Sequence, residues 1–308
     1  MITTVTLNPA IDKTIILEHL KPGEVNRISK VREDIGGKGI NVSKILGSLG
    51  EENQAVCFLG RKNQSGVEEL LERQNFKTHR VYVEEATRTN TKIVDLEKQR
   101  TTDLNEAGFS VTEKQIQELF LVLEKCAEVS EYVVISGSIP VGLKTDIYGK
   151  MILAIREKCK VVLDAEGELL LEGLKAGVAI IKPNIHEFEN AIGRKLKSDE
   201  EIIEAARSWI VQYHVTYILV SLGRKGSLLI GSNMVLRALP IKIDVKSTVG
   251  AGDSMLAGFL YGIMHEKLEK AFAFGVACGT LAVSKEGTIA LPRKEVFEML
   301  KNVMIEIV

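Results

Sequence analysis

The chain has 308 residues, of which 45% are hydrophobic and 26% charged, and its formal net charge is −1. That length is ample for a substantial core, and the charge balance supplies no bulk attraction to nucleic acid or to an anionic membrane. No uninterrupted apolar run reaches membrane-spanning length, and no basic segment with a cleavage site opens the chain, so neither a membrane span nor a signal peptide is expected.

In chain order, short β-branched runs recur at Ile2–Leu7, Ala55–Leu59, Tyr132–Ser136, Lys160–Asp164, Ala179–Lys182 and Tyr217–Ser221. Most are continuous rather than alternating, as expected of strands buried on both faces. Amphipathic helices fall between them. Asn41–Gly50 places Val42, Ile45, Leu46 and Leu49 on one face. Thr112-Glu113-Lys114-Gln115 and Ser198-Asp199-Glu200-Glu201 read as capping boxes that open two further helices. Gly252–Met264 carries Met255, Leu256, Phe259, Leu260 and Ile263 along one side. Alternating strand and helix signals predict a three-layer α/β fold with a mainly parallel sheet. Residues 14–32 and 87–104 break the rhythm: both are strand-like without a helical period. They are expected to form surface hairpins or one small sheet over an active site.

Cys57, Cys126, Cys159 and Cys278 form no C-x-x-C pair and are expected to be buried free thiols in a reducing cytosol. The five histidines are not paired at metal-ligand spacing. A cytoplasmic protein is expected.

Two glycine-rich segments carry chemistry. Thr248-Val249-Gly250-Ala251-Gly252-Asp253-Ser254 runs straight into a helix. Its small residues let successive backbone N–H groups converge, and the helix N-terminus adds positive partial charge, which together make a cradle for a phosphoryl group. Asp253 at its mouth is placed either to accept a proton from an attacking hydroxyl or merely to cap the helix. Gly36-Gly37-Lys38-Gly39-Ile40-Asn41 also leads into a helix. It does not match G-x-x-x-x-G-K-[ST]. It is either a ligand-facing loop with a cation and an amide or a simple turn with a solvated lysine. A dinucleotide-binding G-x-G-x-x-G is absent after the first strand, where the chain reads Asn8-Pro9-Ala10, so a dehydrogenase is not expected.

These two segments resemble the paired signatures of the PfkB, or ribokinase-like, carbohydrate kinases. The resemblance extends over the whole chain through Thr6–Asp12, Thr87–Asn90, Ser136–Pro140 and Lys182–Glu187. It is greatest to the hexose-phosphate branch, whose members phosphorylate fructose 1-phosphate or tagatose 6-phosphate. The resemblance implies one ribokinase-like domain over residues 1–308, with a small β lid from about 11–35 and 87–106. It implies ATP and Mg²⁺ and a sugar-phosphate substrate, while the edge strands and the apolar residues Ile15, Ile16, Leu17 and Ile93 of such a lid predict a homodimer joined through the lids. It makes Asp253 the catalytic base, with Gly250, Ala251 and Gly252 as the cradle. It gives Asp12, Gly37, Asn41 and Ser138 to the sugar, and Arg27, Lys38 and Arg88 to the phosphate already on it. Lys182, Asn184, Ser221, Gly223, Gly226 and Thr248 fall to the nucleotide, and Asn184 with Glu187 to Mg²⁺ through water. Lys246 stands where relatives activated by a monovalent cation carry Asp, so no ribokinase-type potassium site is expected. A reading from another class, a non-catalytic nucleotide or sugar-phosphate sensor on the same fold, is opposed by Asp253 standing beside both glycines.

Overall fold

The computed structural model describes residues 1–308. The first half runs β1 (Ile2–Thr6), β2 (Ala10–Leu17), β3 (Lys30–Gly36), α1 (Lys38–Leu49), β4 (Asn53–Gly60), α2 (Gln64–Glu72), β5 (Lys77–Val83), β6 (Arg88–Asp95), β7 (Arg100–Asn105), α3 (Glu113–Glu128), β8 (Tyr132–Ser136) and α4 (Ile147–Ile155). The second half runs β9 (Lys160–Asp164), α5 (Gly167–Ala176), β10 (Ile180–Ile181), α6 (Ile185–Ile192), α7 (Asp199–Tyr213), β11 (Tyr217–Ser221), β12 (Ser227–Ile230), β13 (Val235–Ala238), α8 (Ala251–His265), α9 (Leu268–Val283), α10 (Arg293–Leu300) and β14 (Ile305–Ile307).

Ten strands form one sheet in the order β14-β13-β12-β11-β10-β9-β8-β1-β4-β5. From β5 to β11 every pairing is parallel, and the β12–β14 edge is antiparallel. The continuous apolar runs have a direct cause. Val133, Ile135, Val161 and Leu163 pack into a core of 40 buried residues beneath α3–α7. Val134, Val162, Ile180 and Leu219 face a second core of 28 beneath α1, α8, α9 and α10. Neither face of the central strands meets water, so no alternation survives in the sequence.

The predicted helix starts are partly realised. Thr112 forms a complete capping box with Gln115. Ser198 accepts from the Glu201 N–H, but Glu201 turns its carboxylate to the Lys197 amide, so that box is half closed.

A second sheet, β3-β2-β6-β7, stands apart from the first. Its β2–β3 and β6–β7 pairs are antiparallel and β2–β6 is parallel. Register puts Asp12 beside Asp34 and Asn90, so these three share one face. The chain leaves β1, forms β2 and β3 of this sheet, and returns as α1. After β4 and β5 it passes through β6 and β7 and re-enters the large sheet as β8, on the other side of β1. The strand order therefore reverses at β1, and an open parallel sheet binds ligands in the crevice at the carboxyl ends of its strands at such a point. All four cysteines are free, and Cys159 is half-buried where the other three are buried. No helix is long and apolar enough to cross a membrane.

Candidate active site

The two glycine loops are shaped by close packing. Gly37 has φ +115°, and a Cβ there would lie 2.6 Å from the Thr6 methyl, so β1 and the start of α1 meet only because this position is glycine. The Thr6 hydroxyl accepts from the Ile40 amide at 3.0 Å and fixes that approach. Gly250, at φ +76°, precedes α8 in the left-handed conformation, and the N–H groups of Gly250, Gly252 and Asp253 have no acceptor within the chain. Unsatisfied amides at a helix N-terminus form an anion site.

Asp253 is buried in the first turn of α8 and does not cap the helix; its Oδ2 instead accepts from Asn41 Nδ2 at 2.9 Å. Asn41, four residues into α1, is held on the facing helix, and its own Oδ1 is buried without a partner. Burial, and then the nearby carboxylate of Asp164, push the Asp253 carboxyl up to about 6, against the pull of Lys38, Asn41 and Lys182. A carboxyl poised near neutrality is suited to proton transfer.

Asp164, at the carboxyl end of β9, was not singled out from the sequence. It is fully buried between two ammonium groups: Lys38 Nζ donates to Oδ1 at 3.1 Å, and Lys182 Nζ lies 3.4 Å from Oδ2. Burial alone would raise its pKa, but Lys182 and Lys38 together hold it below the usual carboxylate range. Lys38 in turn is raised, first by Asp164. Lys38 was expected to stand with Arg88 on the substrate's phosphate. In this structure its ammonium meets the buried Asp164 carboxylate at the centre of the crevice. Lys182 Nζ also lies against Gly252: a Cβ on that glycine would come within 2.9 Å of it. The cradle and both lysines are thus contiguous.

At one side of this centre, Arg88 donates to Asn8 O at 3.0 Å and lies 3.4 Å from Ser138 Oγ. Asn8, also missed, is buried and donates to the Ser138 hydroxyl and to the Ile139 carbonyl, both at 3.3 Å. Asp12 receives Asn90 Nδ2 and the Thr288 hydroxyl, each at 3.4 Å. Burial raises the Asp12 carboxyl, with Lys44, Asn90 and Thr288 opposing. Arg27 is not brought to this group. It lies exposed between β2 and β3 with no side-chain hydrogen bond or ion pair, in a turn closed by the Asn26 side chain on the Lys21 backbone and anchored to the small sheet through Leu20 and Ser29.

At the other side, Asn184 and Glu187 form a reciprocal capping box on α6, at 2.8 and 2.9 Å. Both residues therefore have a structural task, and Glu187 also lies near enough for its charge to act on Lys38. Asn184 forms a parallel bridge to Ser221, which sets the end of β11 beside it. Gly223 and Gly226 belong to the turn that reverses β11 into β12. Gly226 is required there, because a Cβ would run into the Ala238 carbonyl, whereas Gly223 borders open space. Thr248 is exposed just ahead of the cradle. No three His, Cys, Asp or Glu side chains gather as a metal cage.

The pfkB family carbohydrate kinase signature matches residues 5–295 of the chain. The 1-phosphofructokinase of Escherichia coli K12 is 33% identical, with 99% of this chain and 98% of that one covered. The 1-phosphofructokinase of Haemophilus influenzae is 36% identical over 92% of this chain and 91% of that one. Phosphofructokinase-2 from Escherichia coli, in complex with substrates and products, superposes with a TM-score of 0.92 at 26% identity, covering 98% of each chain. With the signature spanning nearly the whole crevice-bearing fold, the chain belongs to the pfkB family of carbohydrate kinases.

Proposed function

We propose that this enzyme transfers the γ-phosphoryl group of MgATP to the free terminal hydroxyl of a phosphorylated ketohexose, with fructose 1-phosphate as the first choice and fructose 1,6-bisphosphate as the product. One observation carries the reading. Asp253 is a buried carboxyl held near pKa 6, free of any capping duty, and its own backbone N–H belongs to the group of unsatisfied amides. In this reading Asp253 accepts the hydroxyl proton as the nucleophile attacks. The amides of Gly250, Gly252 and Asp253, with Lys38 and Lys182, meet the charge on the transferring group. Asp12 and Asn41 orient the sugar hydroxyls. The sensor alternative gives Asp253 no reason to be buried beside another carboxylate.

The residues on the nucleotide side fit a hydrated Mg²⁺ that enters with ATP. Such an ion keeps most of its waters and needs one or two carboxylates plus phosphate oxygens rather than a cage. Asp164 Oδ2, which faces Lys182 at 3.4 Å but accepts no hydrogen bond, and Glu187 are the carboxylates on this side. When bound, the ion would neutralise charge on the nucleotide phosphates.

Tagatose 6-phosphate is the second substrate reading. A ketofuranose has approximate two-fold symmetry, so one site can hold its phosphate at one end and present a hydroxyl at the other in either orientation. Fructose 6-phosphate is the third. Arg88 is assigned to the phosphate already present, because a guanidinium fork suits phosphate oxygens, with Ser138 beside it on the substrate. Arg88→Ala should therefore lower kcat/KM for the sugar phosphate by roughly tenfold to a hundredfold, the loss of one charge-assisted contact, while KM for ATP stays within about twofold. A rise in KM for ATP alone would reverse the two ends of the site.

The small sheet is read as a lid over residues 11–35 and 87–106 and as the contact between two subunits in the cytoplasm. Val25 and Ile28, in the β2–β3 turn, are 90% and 51% exposed, and Leu104 on the edge strand β7 is 55% exposed. Such surface at an open sheet edge favours a partner. Light scattering at micromolar concentration should give a dimer mass, and Val25→Asp with Leu104→Asp should give the monomer. A wild-type monomer would rule out this contact.

A further inference from the structure

Lys44 is the buried charge that phosphoryl transfer leaves unexplained. It lies on α1 among Val42, Ile45 and Leu46, and is 5% exposed. A lysine ammonium in such a place costs free energy unless its donors are fully used. Its Nζ donates to the carbonyl of Ile35, at the end of β3, and to the carbonyl of Thr288 at 3.2 Å. No carboxylate forms an ion pair with it, although the charges of Asp34, Asp12 and Asp253 all act on it.

Both gripped carbonyls belong to segments that touch Asp12. Gly36 follows Ile35, and a Cβ there would collide with the Asp12 carboxylate. Thr288 donates its hydroxyl to Asp12 Oδ2 at 3.4 Å. On its other side the Thr288 methyl lies where a Cβ on Gly250 would meet it at 2.8 Å. Thr288 is thus wedged between the carboxylate that orients the sugar and the first glycine of the anion cradle. Its segment is held from the small sheet as well, where Arg32 Nη2 donates to the Glu286 carbonyl at 3.0 Å.

We propose that Lys44 is a positioning residue for substrate recognition: its ammonium holds Thr288 and the end of β3 in place, and through them sets the orientation of the Asp12 carboxylate toward the sugar. The proposal rests on the sugar-phosphate kinase reading of the site and names a residue that contacts neither substrate. Neither carbonyl held by Lys44 belongs to Asn41 or Asp253, whose mutual hydrogen bond does not pass through it, so the effect falls on sugar recognition before it falls on the chemical step.

Lys44→Met, of similar shape but without charge, tests this by steady-state kinetics with each substrate varied in turn. KM for the sugar phosphate should rise about tenfold, the order expected when one charge-assisted contact no longer sets a ligand-binding group, while KM for ATP stays within about twofold. Thr288→Val keeps the wedge but removes the hydroxyl, and should give the same selective rise, so the idea stands or falls even if Lys44→Met does not fold. An unchanged sugar-phosphate KM in Thr288→Val, or an equal rise in both KM values in Lys44→Met, would overturn it. Wild-type enzyme inert toward every ketohexose phosphate would overturn the reading of the site as well.

Discussion

Asp253→Asn is expected to lose activity and gain stability. Loss of a general base typically lowers kcat by roughly two to four orders of magnitude. The carboxyl is raised from 3.8 to about 6 by burial and by Asp164. A carboxyl whose folded pKa lies above its unfolded value favours the fold below pH 4, and that contribution is lost as pH rises through 6. At pH 7 the native state must therefore hold an unfavourable charge. Asparagine carries none and can still meet Asn41. The variant should be more stable than wild type at pH 7 by on the order of 1–3 kcal/mol, with the difference vanishing near pH 4. Thermal unfolding at both pH values measures it. The same carboxyl predicts that wild-type kcat/KM rises with pH up to about 6 and then levels. A variant with near-normal kcat, or a wild-type profile flat through that range, would remove Asp253 from the chemistry.

Asp164→Ala should do the opposite to stability. Asp164 separates Lys182, whose side chain is 4% exposed, from Lys38. Removing one partner from a buried ion pair leaves an uncompensated charge, and the cost is roughly 3–5 kcal/mol. Here two ammonium groups would be left facing each other. Denaturant unfolding should show a lowered midpoint with an unchanged slope. Activity should fall too, because Lys182 rests against Gly252 in the cradle. Asp253 would lose the neighbouring like charge that helps raise it while keeping both lysines, so the acid limb of the residual pH profile should move below about 6. A wild-type unfolding midpoint would mean that the lysines satisfy themselves elsewhere and that the ion pair does not organise the site.

The layers of the fold were legible because they rest on local signals. Continuous β-branched runs, a stripe on α1 and the Thr112 box each declare themselves within a dozen residues. The glycine loops were legible for the same reason. Asp164 was not: a single Asp ending a strand carries no pattern, and its partner Lys38 lies 126 residues away. Asn8 and Thr288 are likewise defined by what they reach across the crevice. Lys44 falls between apolar positions of α1 and reads from periodicity as one more solvated lysine; only the return of residues 286–288 over that helix encloses it. Arg27 illustrates the converse. A basic residue in a turn-rich segment suits a phosphate clamp by type, and in the folded chain it lies exposed without a partner. The Asn184–Glu187 element is a helix cap in the folded chain, and the role proposed for it at Mg²⁺ would be additional to that task.

The most direct measurement is ADP release from MgATP, coupled to a continuous readout, with fructose 1-phosphate, tagatose 6-phosphate, fructose 6-phosphate and the unphosphorylated sugars each as sole acceptor. The account predicts turnover that requires a phosphorylated ketohexose, is fastest per KM with fructose 1-phosphate, and falls by at least about a hundredfold in Asp253→Asn. ADP release that proceeds equally well with unphosphorylated sugars, or that never exceeds the rate without acceptor, would contradict it.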